Sequence, residues 1–272
     1  TNVPNAPDRL KVGAVVNNDE DVGMMAPQDK RVFNVMGLAP RFVAYDRDVR
    51  DFAPLPHDRQ VLFTVMEQLP SDARQFILQL SKSIFAFGNG FFDMGKDIDT
   101  QLIGDNYVYA PILSPLTVYG TIGGASEDAL SARGIQTQHM FVKGSDVRDG
   151  KGGSILRNID FEDLVILPDS GTSVIVVPKP IGDYMRANGI KGSELEIRID
   201  GVREDGSRGE VVLRADDRVR EFEDRTGKDS FLVSPSPLPI VMVGQTFLSS
   251  KQIHGDFRDD SNYRIGFGDT TG

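Results

Sequence analysis

The chain has 272 residues, of which 39% are hydrophobic and 26% are charged, a balance that is ordinary for a globular protein with a sizeable core. Its formal net charge is -10, so its field would repel DNA or RNA, and we expect no nucleic-acid partner. It has no cysteine, which excludes disulfides, a catalytic thiol and thiolate metal sites but does not identify a compartment.

The N-terminal part of the chain predicts two regions of different character. Residues 1–30 mix Asn, Asp, Pro and Gly without a regular period, which predicts an extended N-terminal arm. Residues 31–105 combine short apolar runs with two helix-like segments, so we predict a helical or irregular region there.

A helical hairpin is predicted over residues 57–88. Apolar side chains recur at helical spacing on both sides of Pro70, which would end the first helix. Ser71 or Asp72 would cap the second helix, and Gly88 would stop it. We expect both helices to bury their apolar faces in a core.

Residues 106–272 predict a β-rich domain, because β-branched and aromatic runs alternate with turn signals. One helix is expected from Ile181 to about Asn188, and residues 214–230 are expected to be a solvated, charged connection. The predicted fold class is therefore α+β and mainly β, with the helical hairpin in the N-terminal half and an antiparallel C-terminal half. The expected strands lie at 107–113, 116–119, 139–142, 165–168, 174–178, 195–199, 211–213, 239–244 and 263–267.

One carboxylate lies between two of these apolar runs, at Asp169. A charged side chain in that position is costly unless hydrogen bonds satisfy it. The hydroxyls of Ser170 and Thr172 and the backbone N–H groups beside Gly171 are the nearest donors. A plain strand-turn-strand with an Asp at its bend also fits this pattern.

The order of motifs along the chain resembles the C-terminal lobe of the pepsin-like aspartic peptidases. Asp169-Ser170-Gly171-Thr172-Ser173, followed by Pro178, is similar to the active-site motif of that family. Ile240–Gly244 resembles the strand that the active-site loop threads, and 245–248 and 262–267 resemble the closing segments. The resemblance covers about residues 165–268 and implies that Asp169 is catalytic, with Ser170, Gly171 and Thr172 in the same motif.

The family has two such motifs, one in each lobe, and this chain has one. Asp99-Thr100-Gln101 lacks the glycine, and Asp269-Thr270-Thr271-Gly272 is displaced to the end of the sequence. Peptide hydrolysis of this kind needs two carboxylates that share a proton, so that one acts as a base on water while the other donates to the carbonyl oxygen. A two-fold pair of identical chains, or a separate chain, would supply the second carboxylate.

Two functions follow from these observations. The favoured interpretation is a non-enzymatic, β-rich structural subunit of a homo-oligomer or a larger assembly, viral or other, because one motif and an unrelated N-terminal half fit it better. The alternative is an aspartic endopeptidase that uses Asp169 on a peptide substrate with a second Asp from a symmetry mate or partner chain.

Other chemistries have little support in the sequence. The three histidines, His57, His139 and His254, lie in unrelated contexts without metal-ligand spacing. Neither a GxSxG elbow nor an EF-hand loop occurs, and the glycines near Gly152 do not form a phosphate loop. No run of about eighteen apolar residues occurs. We therefore predict no cofactor, no metal and no membrane partner.

Overall fold

The computed structural model describes residues 69–80, 91–96, 98, 106–113, 140–161, 164–170, 172–234, 239–259 and 261–270, together with four short strands nearer the N-terminus. These four form two antiparallel pairs, β1 (Ala14–Val15) with β2 (Phe33–Asn34), and β3 (Ala44–Asp46) with β4 (Asp51–Ala53). The rest of the expected arm and almost all of the first predicted helix lie outside the described residues.

The remaining strands and helices lie between residues 71 and 270. The strands are β5 (Gln75–Gln79), β6 (Phe91–Met94), β7 (Val108–Pro111), β8 (Val142–Gly144), β9 (Asp146–Arg148), β10 (Leu164–Pro168), β11 (Ile175–Pro178), β12 (Glu196–Arg203), β13 (Arg208–Arg214), β14 (Phe231–Ser234), β15 (Ile240–Val243), β16 (Lys251–Asp256) and β17 (Arg264–Asp269). The α-helices of the described part are α1 (Ile155–Asn158), α2 (Lys179–Asn188), α3 (Asp217–Thr226) and α4 (Gln245–Leu248). Short 3₁₀ turns span Ser71–Ala73 and Gly192–Glu194.

A large antiparallel sheet of eight strands forms most of the molecule that is described. Its order is β13-β12-β7-β17-β16-β5-β6, and β9 pairs with β12 beside this path. The β12–β13 hairpin turns at Gly206, whose φ of 82° is accessible to glycine at little cost. The prediction of a mainly β chain is confirmed, and the pairing in this sheet is antiparallel as predicted.

A second sheet of five strands has the order β14-β11-β15-β10-β8 and mixes parallel and antiparallel pairs. Its strands and those of the large sheet contribute side chains to one buried apolar cluster, which includes Ile166 and Val241 from the small sheet and Ile253 and Phe267 from the large one. Burial of this shared cluster holds the two sheets together.

The prediction of a second helix in the hairpin is wrong for the residues of that segment that the structure describes. Residues Ser71–Ala73 form a 3₁₀ turn, and Gln75–Gln79 form β5, which pairs with β16 on one side and β6 on the other. Phe76 and Ile77 are both fully buried although they point to opposite faces of the strand. Burial on both faces produces adjacent apolar residues, which imitates a helical period in the sequence.

Strands β5 and β6 come from the region before residue 106, yet they belong to the same sheet as the C-terminal strands. The division of the chain into an arm, a helical or irregular region and a β-rich domain stays a prediction, since much of the first two regions lies outside the described residues.

The helix expected to end at Asn188 is confirmed as α2, and Gly189 closes it with a φ of 63°. Helix α3, in contrast, occupies the segment expected to be a solvated connection. Asp216 caps it, and the buried carboxylate of Glu223 accepts hydrogen bonds from the hydroxyls of Ser193 and Ser230. That buried Glu ties α3 to the preceding 3₁₀ turn and compensates for the few apolar residues on the helix.

The small sheet positions the conspicuous Asp169. Strand β10 runs parallel to β15, and β11 returns antiparallel to β15 on its other side, so β15 lies between the two strands that the 169–174 loop connects. The loop must therefore cross the end of β15, and it does so at Gly244. A Cβ atom at Gly244 would lie less than 3.0 Å from the carbonyl oxygens of Val174 and Thr172.

Gly244→Ala should destabilise the protein, since both oxygens are backbone atoms and the loop would have to shift to admit a methyl group. We expect a loss of about 1–3 kcal/mol in the free energy of unfolding, measured by urea denaturation. Ser173→Ala, at an exposed side chain in the same loop, should stay within about 0.5 kcal/mol of wild type. Equal unfolding midpoints for Gly244→Ala and wild type would contradict close crossing at this glycine.

Candidate functional site

Asp169 lies directly after β10 and is half-buried. Its backbone N–H donates to the carbonyl of Val243 at 2.9 Å, and the N–H of Val165 likewise donates to the carbonyl of Pro239, just before β15. By strand alternation, the nitrogen of Pro168 faces the opposite side, where β10 pairs with β8 only as far as Ile166. A proline is therefore tolerated beside the Asp, because no ladder hydrogen bond is required there.

The Thr172 side chain lies against the Asp169 carboxylate. Its hydroxyl donates to Oδ2 of Asp169 at 2.7 Å, and it also lies 3.2 Å from the sulfur of Met242. A hydroxyl has one proton, and the carboxylate is the stronger of the two acceptors. The backbone N–H of Thr172 donates to the Asp169 carbonyl at 3.2 Å, which closes the turn. Thr172 thus fixes the orientation of one carboxylate oxygen.

Gln245, the first residue of α4, holds the 169–174 loop through two hydrogen bonds. Its backbone N–H donates to the carbonyl of Thr172 at 2.7 Å, and its side-chain Nε2 donates to the carbonyl of Ser170 at 2.8 Å. Thr246 adds a backbone hydrogen bond to the carbonyl of Ser173 at 3.3 Å. The loop is therefore held by the residues that directly follow the strand it crosses.

The structure brings together two of the four residues of the predicted motif. Asp169 and Thr172 are hydrogen-bonded, whereas the Ser170 side chain is exposed and Ser170 contributes its carbonyl to Gln245. Gly171 lies outside the described residues, as does Asp99. Asp269 ends β17 and forms an ion pair with Lys251. The catalytic role of the motif stays a prediction at this point.

A second polar group, absent from the sequence-based predictions, lies on one face of the large sheet. The hydroxyl of Tyr107 donates to Oε1 of Gln252 at 3.0 Å, and the hydroxyl of Tyr109 lies 2.8 Å from Nδ1 of His254. Asp256, two residues further along β16, completes this face. We call these five residues the polar layer; each is at most 5% exposed.

The sequence does carry a signal for the polar layer. Gln252, His254 and Asp256 alternate with Ile253 and Gly255 along β16, a pattern that predicts a half-exposed strand. The alternation therefore predicts correctly which residues share a face of the strand. It predicts solvent exposure of the polar face wrongly, because that face is buried as well.

Burial and neighbouring charges shift the pKa values in the polar layer. Burial lowers the pKa of His254 to about 4 and raises the pKa of Tyr107 to about 12. For Asp256 burial acts to raise the pKa, but hydrogen bonds from Arg258 and Arg264 outweigh it and hold the pKa well below the ordinary value. At neutral pH the layer thus contains a neutral imidazole next to an ionised carboxylate.

Within the described residues, His, Asp and Glu side chains form no group of three that could hold a metal ion. No helix in that part of the chain has the length and apolar character needed to span a membrane.

Comparison with known proteins gives a distant likeness to solved structures. No protein-family model matches the sequence, and no curated protein sequence matches it. Among solved structures, the aspartic proteinase from Irpex lacteus is similar over 82% of this chain and 66% of its own, at 16% identity and a TM-score of 0.46. The chain thus spans slightly less than two thirds of that protein, and a likeness this distant assigns no activity.

Thr172→Val keeps the shape of the side chain but removes the donor to Asp169. We expect a loss of about 1–3 kcal/mol in the free energy of unfolding at pH 7, since the carboxylate would lose a charge-assisted hydrogen bond. Thr172→Ser retains the hydroxyl and should lose clearly less. If the valine and serine variants show the same urea midpoint, the hydroxyl does not support the carboxylate.

Proposed function

We propose that the 169–174 loop is one half of an aspartic-peptidase-type catalytic site, in which Asp169 works with a second carboxylate from another chain or a second copy of this one. The observation that carries the proposal is the placement of Asp169 at the crossing of the loop over β15, half-buried and hydrogen-bonded to Thr172.

The chemistry that this site would perform is addition of water to a peptide carbonyl. In a carboxylate pair that shares one proton, the ionised group removes a proton from water as the water attacks, and the protonated group donates to the carbonyl oxygen. Thr172 holds one oxygen of Asp169 in place, and the backbone anchors at Thr172 and Ser170 keep the loop from moving during the reaction.

The sequence given contains the Asp-Ser-Gly-Thr motif once, and the proposal takes the second carboxylate from another chain or a second copy. A two-fold axis beside Asp169 would bring the same residue from a second copy, since an isologous interface places identical residues opposite each other. A different chain with its own motif would serve equally well. The concentration dependence of activity separates these sources.

A non-catalytic role as an assembly subunit has one observation in its favour. Strand β14 is the last strand in the described order of the small sheet, and the side chain of its Leu232 is 58% exposed. An edge strand with a large exposed apolar side chain is a surface to which another chain can add a strand. In this alternative Asp169 is a structural turn residue.

The decisive variant is Asp169→Asn, tested by cleavage of a denatured protein substrate over about pH 3 to 7. We expect acid-favoured cleavage by wild type and a loss of at least about 1,000-fold in the variant, because an amide can neither accept a proton from water nor share one with a partner carboxylate. Asp200→Asn changes an exposed carboxylate on β12 and should cleave like wild type.

The same assay identifies the source of the second carboxylate. Activity per chain that rises with protein concentration would indicate a second copy, while activity that appears only on mixing with another chain would indicate a hetero-complex. Cleavage that is equal in wild type and Asp169→Asn would overturn the proposal. Absence of cleavage in all mixtures, with an unfolding midpoint of Asp169→Asn at or above that of wild type, would support the assembly role instead.

A further inference from the structure

We propose that the polar layer is an acid-sensitive lock of the large sheet, in which a proton taken up by His254 places a buried charge in the layer, reorganises the hydrogen bond to Tyr109 and loosens β16 from its neighbours. The proposal is independent of the peptidase-type function, because it concerns the large sheet and uses none of the 169–174 loop.

The polar layer lies at the centre of the sheet. His254 pairs across the ladder with Ile77 of β5 and with Gly266 of β17, and β17 in turn pairs with β7. Four strands therefore meet at this position. The face that carries His254 is opposite to the face that packs into the apolar cluster, since Ile253, the next residue along β16, belongs to that cluster.

Two glycines of β17 make room for the layer. A Cβ atom at Gly266 would lie 2.6 Å from the ring of Tyr109, and one at Gly268 would lie 2.6 Å from the ring of Tyr107. The two tyrosine rings thus lie across β17 and reach β16 with their hydroxyls. The lock depends on this close approach, because each hydroxyl bridges to β16 past the strand between them.

His254 has one nitrogen that no described residue satisfies. Nδ1 is paired with the Tyr109 hydroxyl, whereas Nε2 is buried and has no hydrogen-bond partner among the described residues. In one neutral tautomer Nε2 is an unused acceptor, and in the other it is an unused donor. The imidazolium form costs more free energy to bury than either neutral form. Both of its nitrogens carry protons, and the charge itself is buried.

Burial has the largest effect on the pKa of His254, and the charges that face it act in opposite directions: the Asp256 carboxylate favours a proton there, whereas Arg258 and Arg264 disfavour it. Arg258 and Arg264 both pair with Asp256, at 2.8 and 2.9 Å, so two cations already share one buried carboxylate. Arg264 additionally lies 4.2 Å from the ring of Tyr109 and pairs with the exposed Glu204 at 3.1 Å. The residues of β5 that pair with Asp256 and Gln252 are Gln75 and Gln79, which carry no charge. The tyrosines of the polar layer are neutral as well.

The Tyr109 hydroxyl links these groups. In the tautomer with an unprotonated Nδ1, the hydroxyl donates its single proton to His254 at 2.8 Å. Protonation of His254 would force Nδ1 to donate, so the hydroxyl would have to accept there and turn its own proton away from His254. Proton uptake therefore reorganises the hydrogen bond between β7 and β16 as well as placing a third cation beside Asp256.

The direction of the pH effect follows from these contacts together with the lowered pKa of His254, about 4 in the folded protein against 6.5 as its ordinary value. The unfolded chain takes up the proton first as the pH falls, so stability is complete above about pH 6.5 and is lost toward pH 4. We expect the equilibrium constant of unfolding to rise on the order of 100-fold between pH 7 and pH 4 from this group alone. Asp256 contributes only at lower pH, because its lowered pKa makes it protonate below the ordinary value of 3.8.

The test compares the pH dependence of urea unfolding in wild type and His254→Gln, with the double variant His57→Gln/His139→Gln as the matched control. We expect the double variant to lose stability between pH 7 and pH 4 as wild type does, and His254→Gln to lack most of that loss. Since glutamine does not titrate, the difference between the two curves isolates the imidazole.

A second measurement does not depend on the fold of the His254 variant. In the double variant His254 is the only histidine left, so its imidazole resonances can be followed by NMR as the pH is lowered. We expect a titration midpoint near 4, and the hydrogen bond between Tyr109 and His254 should rearrange over the same pH range. A midpoint between 6 and 7, or identical pH profiles of unfolding for His254→Gln and wild type, would overturn the proposal.

Discussion

The arrangement of the small sheet depends on one close approach, the passage of the 169–174 loop over β15 at Gly244. Strands β10 and β11 flank β15, so the chain between them can reach from one to the other only across its end. Since a side chain at Gly244 would meet two backbone carbonyls, the crossing tolerates little beyond a hydrogen atom there. The position of Asp169, its bond to Thr172 and the anchoring by Gln245 all follow from that crossing.

The candidate site and the polar layer are joined by a short run of chain. Strand β15 passes beneath the loop, α4 anchors the loop, and β16 carries His254 only a few residues later. An acid-favoured peptidase with this layout would meet two opposite demands, because its carboxylate pair needs a shared proton while its large sheet resists one at His254.

Particular residues show what the sequence can predict. The resemblance of the Asp169 motif and of Ile240–Gly244 to the aspartic peptidases implies that the loop threads that strand, and the β15 pairings agree with it. The helix expected after Ser71 is a strand, because Phe76 and Ile77 are buried on opposite faces and no local pattern distinguishes that from a helix. The buried Glu223 and His254 depend on partners far along the chain, so composition alone describes them as exposed.

We propose that Asp169 is half of a catalytic carboxylate pair, and binding of a transition-state analogue tests this proposal most directly. The measurement is calorimetric titration, at about pH 5, of a peptide analogue in which a hydroxyl-bearing tetrahedral carbon replaces the scissile carbonyl. We predict binding to wild type that weakens by at least about 100-fold in Asp169→Asn, because the analogue's hydroxyl occupies the place of the attacking water. Equal affinity of the two proteins would contradict the account.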